Sequence, residues 1–367
     1  MPTSALDRAR VTCPSQRRAA LAMTLSRRAA AVSDLSAEGR LRNCQLSTVN
    51  CLLASSPVFL YHGIITNRQK EAAPMTRQEI FDLLYDDPEV YRPPFEAESA
   101  LLEVTHGCSW GKCAFCDFAR DAYFHFDMEA IENKIKLLSY VIDGNDRLYL
   151  LGCNPFCVPS GRLMRIFDLV HKHLPSVESI SMYARADDIN RKSWSDIMAM
   201  KHEGLADLHV GVESGSDAVL RLHNKGETSF DIARALDTLE SCEIGYNLTA
   251  IIGLGGRSLS DEHAVKTAAF LSRLRPISIW CMNLKIWPDT PLYRMAESGA
   301  FDQLTPLESA REERKMLSLM EMEKECYYVD STLLNKYTLS ARLPSLKDSA
   351  LDNLDRLIAE EEAAEGN

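Results

Sequence analysis

The chain has 367 residues, 46% of them hydrophobic and 25% charged, which suits one large α/β domain or two smaller ones and excludes collagen-like, disordered and membrane-bundle chains. Asp and Glu number 52 against 41 Lys and Arg, for a net charge of −11. A general nucleic-acid binder needs the opposite balance to displace counterions, so nucleic acid is not an expected partner.

Residues 1–74 differ from the rest, with 10 Arg/Lys and 4 Asp/Glu against 31 and 48 beyond. Their Ala, Ser and Arg content, including Arg17-Arg18 and Arg27-Arg28, suits a transit peptide, a poorly ordered extension, or a start assigned too early. Met75 favours the last reading, because Thr76-Arg77-Gln78-Glu79 reads as a helix cap and first turn, opening a helical lead-in over 75–97.

From there, strand and helix patterns alternate. Strands are predicted at 101–107, 147–152, 178–185, 207–213, 246–253 and 277–286. Helical periodicity falls at about 127–141, 161–173, 192–204, 216–223, 229–242 and 260–274. Six strands with helical crossovers are the pattern of a parallel sheet covered by helices, either a (β/α) barrel or an open doubly wound sheet. Beyond residue 291 the alternation stops. Helices at about 292–299, 304–323 and 345–363, with a short strand at Cys326–Val329, make a C-terminal extension over 292–367. No run of 18 apolar residues occurs, so a membrane span is rejected and a cytoplasmic protein is expected.

Eleven cysteines are too many, too irregular and of the wrong parity for a secreted disulfide framework. Three of them, Cys108, Cys113 and Cys116, lie within nine residues just after the first strand. Gly107 and Gly111 allow the tight backbone path that would turn three thiolates toward one centre. Thiolates select zinc or iron–sulfur clusters. Structural zinc takes four protein ligands, commonly in two pairs, and no second pair follows; His106 and His125 are the nearby candidates for a fourth. Electron-transfer clusters also take four cysteines, whereas three leave one iron open for chemistry.

With this loop the sequence resembles the radical SAM superfamily, which places three cysteines after the first strand of a partial (β/α)6 barrel with an aromatic residue before the third, here Phe115. The usual spacing is C-x3-C-x2-C; this chain has the variant C-x4-C-x2-C. Further matches follow in order: Tyr183-Ala184-Arg185-Ala186-Asp187, Gly211-Val212-Glu213-Ser214-Gly215, Asn224-Lys225-Gly226, Ile252-Gly253-Leu254-Gly255-Gly256 and Pro288-Asp289-Thr290-Pro291-Leu292. Over about residues 98–300 the set resembles the branch with methylthiotransferases, elongator-type enzymes and coproporphyrinogen dehydrogenases.

The resemblance implies an α/β fold, a partial (β/α)6 TIM-type barrel over 98–291, with the helical extension after it. It implies a [4Fe–4S] cluster on Cys108, Cys113 and Cys116, with S-adenosylmethionine on the open iron. It further implies an oxygen-sensitive enzyme that cleaves the cofactor reductively to a 5′-deoxyadenosyl radical and abstracts hydrogen from a substrate the sequence does not identify. The electron would come from a flavodoxin- or ferredoxin-like donor. The implied cofactor-binding residues are Phe115, Gly152, Asn154, Arg185, Glu213, Ser214, Gly253 and Gly255. Arg185 would fork onto the cofactor carboxylate or pair with Asp187 or Asp188, and Glu213 with Ser214 would take ribose hydroxyls or the ammonium. Gly152 and Asn154 stand where the family has its glycine-rich loop, while Gly253 and Gly255 would let backbone approach adenine.

Strand parity adds an independent expectation. Ser181, Tyr183 and Arg185 share one face of their strand, His209 and Glu213 of the next, then Asn247 and Thr249, then Asn283 and Lys285, each opposite apolar residues. A polar lumen suits a zwitterionic cofactor. A non-enzymatic zinc or cluster-binding module is the alternative, as are tRNA modification and porphyrinogen oxidation within the superfamily. Cys153 and Cys157 are too few to hold an auxiliary cluster alone.

Overall fold

The computed structural model describes residues 76–86, 90–117, 121–142, 144–330 and 338–365. The chain falls into two units, Met1–Glu98 and Ser99–Asn367. The readings of residues 1–74 lie outside the described residues. In the first unit α1 (Arg77–Leu84) begins with the predicted cap. Thr76 Oγ1 accepts the Glu79 N–H at 3.2 Å and Glu79 Oε2 accepts the Thr76 N–H at 2.6 Å, so two orphan donors are satisfied reciprocally. A 3₁₀ turn follows at Pro94–Glu96.

The second unit opens with β1 (Ala100–Glu103) and β2 (Thr105–His106); β2 pairs antiparallel with β3 (Phe124–His125). Then come α2 (Met128–Leu138), β4 (Arg147–Leu151), α3 (Ser160–His173) and β5 (Ser179–Ala184). Two helices, α4 (Ala186–Arg191) and α5 (Trp194–His202), lead to β6 (Leu205–Glu213). Two more, α6 (Asp217–Leu222) and α7 (Ser229–Ser241), lead to β7 (Gly245–Ile252). Next are α8 (Gly256–Leu271) and β8 (Ser278–Asn283). The last segment holds α9 (Pro291–Glu297), α10 (Pro306–Leu319), β9 (Cys326–Asp330), β10 (Leu339–Leu343) and α11 (Lys347–Glu365).

The sheet order is β1-β4-β5-β6-β7-β8-β9-β10. Every neighbouring pair from β1 to β9 is parallel, and β10 returns antiparallel against β9. All six predicted strands are present with their crossovers, and the fold is the expected partial TIM-type barrel with added helices. Two details differ from expectation. The helix read over 192–204 is preceded by a separate turn-and-a-half, α4, because Lys192 and Ser193 adopt extended backbone and the Ser193 hydroxyl caps a fresh helix at the Asp196 N–H. The short strand expected in the extension is present as β9, but a second strand that was not expected, β10, pairs with it and lengthens the sheet further.

The polar strand face is buried and bonded. Arg147 Nη1 meets Asp207 Oδ2 at 2.9 Å, Asn247 Nδ2 donates to Asp207 Oδ1 at 2.8 Å, and Ser278 Oγ donates to Asn247 Oδ1 at 2.6 Å, a ladder crossing β4, β6, β7 and β8. One step toward the C-terminal ends, the rings of Tyr149, Tyr183 and His209 meet edge-on at 5.6–5.8 Å. Buried polar groups survive only when so paired. On the opposite parity Leu148, Leu150, Ile180, Met182, Leu208 and Val210 are fully buried apolar core. The loops that carry the cysteines, Asn154 and Arg185 leave the C-terminal ends of these strands.

Candidate functional site

The cysteine loop begins at Gly107, whose φ of +65° is left-handed and whose absent Cβ would meet the Asp121 carbonyl oxygen at 2.8 Å. Gly111, at φ +63°, reverses the chain between Cys108 and Cys113. None of the described cysteines is in a disulfide. What fixes the loop is the segment after α6. Trp110 Nε1 donates to the Asn224 carbonyl at 2.8 Å, Asn224 Nδ2 to the Lys112 carbonyl at 3.2 Å, and the Ala114 N–H to the His223 carbonyl at 2.8 Å. Gly226, at φ +76°, lies against the Trp110 indole so closely that any Cβ would overlap the ring. The sequence motif Asn224-Lys225-Gly226 is thus the clamp on the cysteine loop.

Charge under the loop is organised around Glu227, whose side chain is wholly buried. Glu227 Oε1 lies 3.4 Å from Arg185 Nη2 and accepts the Asp187 N–H at 2.9 Å, and Glu227 Oε2 lies 3.4 Å from Lys225 Nζ. Lys225 Nζ is also 3.8 Å from Glu213 Oε1. Burial alone would pull Lys225 and Arg185 down; the facing carboxylates outweigh it and hold both cations above their ordinary values. Burial pushes the Cys113 thiol up, while Lys225 and Arg185 pull it the other way. Both cations therefore favour the thiolate form of Cys113.

Glu213 occupies the left-handed region at φ +62°, beside the register shift between Gly211 and Glu213 where β6 leaves β7. That twist turns its carboxylate back over Gly211, which has no side chain to block it, and Thr249 Oγ1 donates to Glu213 Oε2 at 3.1 Å. Burial holds this carboxyl above the ordinary range, against the pull of Lys225.

The remaining sequence candidates divide. Asn154 comes to the loop: its Nδ2 donates to Ser109 Oγ at 2.8 Å and Asp188 Oδ2 at 2.6 Å, and its Oδ1 accepts the Arg185 N–H at 3.2 Å. It ties the cysteine loop to the end of β5. Gly152 sits at φ +140° where a Cβ would strike the Thr105 hydroxyl. Phe115 packs edge-on to His223 at 5.6 Å and lies among Ala114, Leu254 and Leu292. Arg185 Nε donates to Asp187 Oδ1 at 3.0 Å, the intrachain pairing expected as the alternative to a cofactor carboxylate, while Asp188 pairs with Arg191. Ser214 does not join the site. Its hydroxyl is bonded to His263 Nδ1 at 2.8 Å and to the Ser216 N–H at 3.0 Å, with no exposure. A Cβ at Gly255 would meet the Leu259 carbonyl oxygen at 2.8 Å, whereas one at Gly253, at φ +83°, would come no closer than 3.6 Å to Leu284.

Sequence reasoning missed Trp110, Glu227 and the role of Lys225. Of these only Lys225 carried a signal, its place in a quoted motif. His106 stacks on Phe124 at 5.1 Å, Cys157 Sγ lies 2.9 Å from Tyr123 Oη, and Cys242 and Cys281 are buried core. Beside the loop a cavity of about 350 Å³ is lined by Ser109, Trp110, Tyr123, Arg185, Asp187 and Asp188, among others. Three cysteines on one loop, with Lys225 and Arg185 acting on Cys113, suit a thiolate-held group, and the donor set fits a three-cysteine cluster.

A family profile described as the Radical SAM superfamily matches residues 102–271. The chain is 25% identical over 225 residues to a tRNA-2-methylthio-N(6)-dimethylallyladenosine synthase of Neorickettsia sennetsu, covering 58% of this chain and 46% of that protein. It is 26% identical over 214 residues to threonylcarbamoyladenosine tRNA methylthiotransferase MtaB of Treponema pallidum, covering 56% and 43%. The chain spans about half the length of the curated relatives it matches. Among solved structures, coproporphyrinogen III oxidase (HemN) from Escherichia coli is similar at 17% identity over 66% of this chain and 56% of that one, with a TM-score of 0.46 that carries no argument. Members of the matched family use a [4Fe–4S] cluster and S-adenosylmethionine. The matched residues run from β1 to the end of α8 and include all three cysteines, so the radical SAM superfamily is the family that this part of the chain matches.

Proposed function

We propose that this protein is a radical SAM enzyme, and that Cys108, Cys113 and Cys116 are the ligands of its [4Fe–4S] cluster. The observation that carries the reading is the placement of all three cysteines on one glycine-shaped loop at the C-terminal edge of β1, clamped by His223–Gly226, within the matched family domain. When bound, the cluster and S-adenosylmethionine supply an electron for sulfonium cleavage and the radical that takes a hydrogen atom from substrate.

The chain's own residues prepare that site. Lys225 and Arg185 offset the negative charge three thiolates bring to one place, and Glu227 holds the two cations apart and in register. Trp110 and Phe115 wall the loop with apolar surface, which lowers the local dielectric and keeps water from reactive species. Glu213 presents a carboxylate at the mouth of β6, the polar group best placed for a ribose or ammonium. Gly253, at φ +83°, carries the left-handed backbone at the mouth of β7. A flavodoxin- or ferredoxin-like donor would reduce the cluster, in a cytoplasmic, reducing compartment.

Neither tRNA nor a porphyrinogen is carried over from the relatives as substrate. Anaerobic reconstitution with iron and sulfide tests the ligand assignment. The full chain should retain about four irons and four sulfides, and a Cys108/Cys113/Cys116→Ala variant should retain almost none. Zinc bound stoichiometrically in place of iron would contradict it.

A further inference from the structure

The C-terminal segment builds a second cavity outside the matched domain. About 340 Å³ in volume, it opens where β8 and β9 end, at the same edge of the sheet as the cysteine loop. One wall is apolar: Leu304, Leu339, Leu354 and Leu357. Gly253, just after β7, faces the same wall: a Cβ built there would lie 3.6 Å from Leu284 and 3.9 Å from Leu304.

The other wall holds two carboxyls, Glu313 from α10 and Asp330 from the end of β9, each 3% exposed. Glu313 Oε1 accepts the Tyr328 hydroxyl at 2.7 Å. Asp330 Oδ1 is buried, and no N–H or hydroxyl among the described residues is bonded to it; the Glu313 carboxyl is its neighbour. Among the described residues, none that lines the cavity is Lys, Arg or His. Two carboxyls this close do not both ionise, so they share a proton, and burial with Glu313 beside it pushes Asp330 up to about 10. Buried acceptors are normally satisfied. Here a cation arriving from the cavity would satisfy both groups and replace the shared proton.

We infer that this cavity binds an ammonium group carried on an apolar stem, the cation seated between Glu313 and Asp330 and the stem lying against Leu304, Leu339 and Leu354. The radical reading enters only in taking that ligand as the substrate, an amine presented at the sheet edge where the radical chemistry is placed. Binding itself depends on no cluster.

Titration calorimetry on the full chain at neutral pH, with n-hexylamine and n-hexanol as probes, tests the inference. Hexylamine should bind about tenfold or more tighter than the alcohol. Its heat in phosphate and in HEPES should differ by the ionisation of about one released proton. Asp330→Asn should erase the preference for the amine. Equal affinity for the two probes, no binding of either, or an undiminished preference in Asp330→Asn would overturn it. Formation of 5′-deoxyadenosine without any amine reports separately on the radical reading, so the two failures are distinguishable.

Discussion

At the scale of single residues, the site is held by charges that have no water to fall back on. Glu227 lies 3.4 Å from both Arg185 and Lys225, so Glu227→Ala leaves two buried cations short of a partner. Breaking a buried pair this way costs about 3–5 kcal/mol; urea unfolding should show a loss of that order. Glu312 supplies a pH-dependent counterpart. Burial raises its carboxyl to about 7, although the Ser260 hydroxyl and the Gly253 N–H donate to it. Its folded pKa lies above the unfolded value, so its contribution is full below about pH 4.5 and lost as pH rises through about 7. Wild type should therefore lose roughly 2–3 kcal/mol relative to Glu312→Gln between about pH 4.5 and 8, read from urea midpoints across that range. His223 and His263 act with the opposite sign: burial lowers each to about 4, so their contribution is present above pH 6.5 and lost as pH falls through about 4.

At the scale of elements, the cysteine loop and the segment after α6 form one unit, and its weak point is the contact of Gly226 with Trp110. In Gly226→Ala the new methyl overlaps the indole, and the left-handed backbone adds about 1–2 kcal/mol of its own. Iron retained after reconstitution should drop at least severalfold. The double variant Gly226→Ala/Trp110→Ala should recover part of it, since only the ring contact is relieved. Most elements were legible in the sequence because the rules for them are local. Alternating apolar residues marked β4 to β8, Thr76 with Glu79 marked the start of α1, and three cysteines among glycines marked the loop. The strand β10 was not legible: its apolar face is Leu339, Ala341 and Leu343, and a small residue at the centre gives a weak period of two. The helix α4 was hidden for a similar reason, being too short to show a period.

At the scale of the whole molecule, what escaped the sequence was set by long-range contact. The resemblance put Glu213 and Ser214 together as candidates, yet the left-handed backbone at Glu213 sends its carboxylate toward Lys225, while Ser214 turns to His263 on α8, 49 residues away. Glu227 was invisible because nothing local distinguishes a buried acid from a solvated one. Among the described residues no helix is long and apolar enough to cross a membrane. The expectation of a polar strand face held, but most of that face is already bonded to itself through Arg147, Asp207, Asn247 and Ser278, toward the strands' N-terminal ends. The polar groups left for ligands lie at the other edge, with the cysteines.

The most direct test of the central claim is the formation of 5′-deoxyadenosine. The reconstituted chain, reduced under anaerobic conditions with S-adenosylmethionine present, should release it. The Cys108/Cys113/Cys116→Ala variant, handled identically, should release none. A parent protein that carries a full cluster and still yields no 5′-deoxyadenosine, or a variant that yields as much as the parent, would contradict the account.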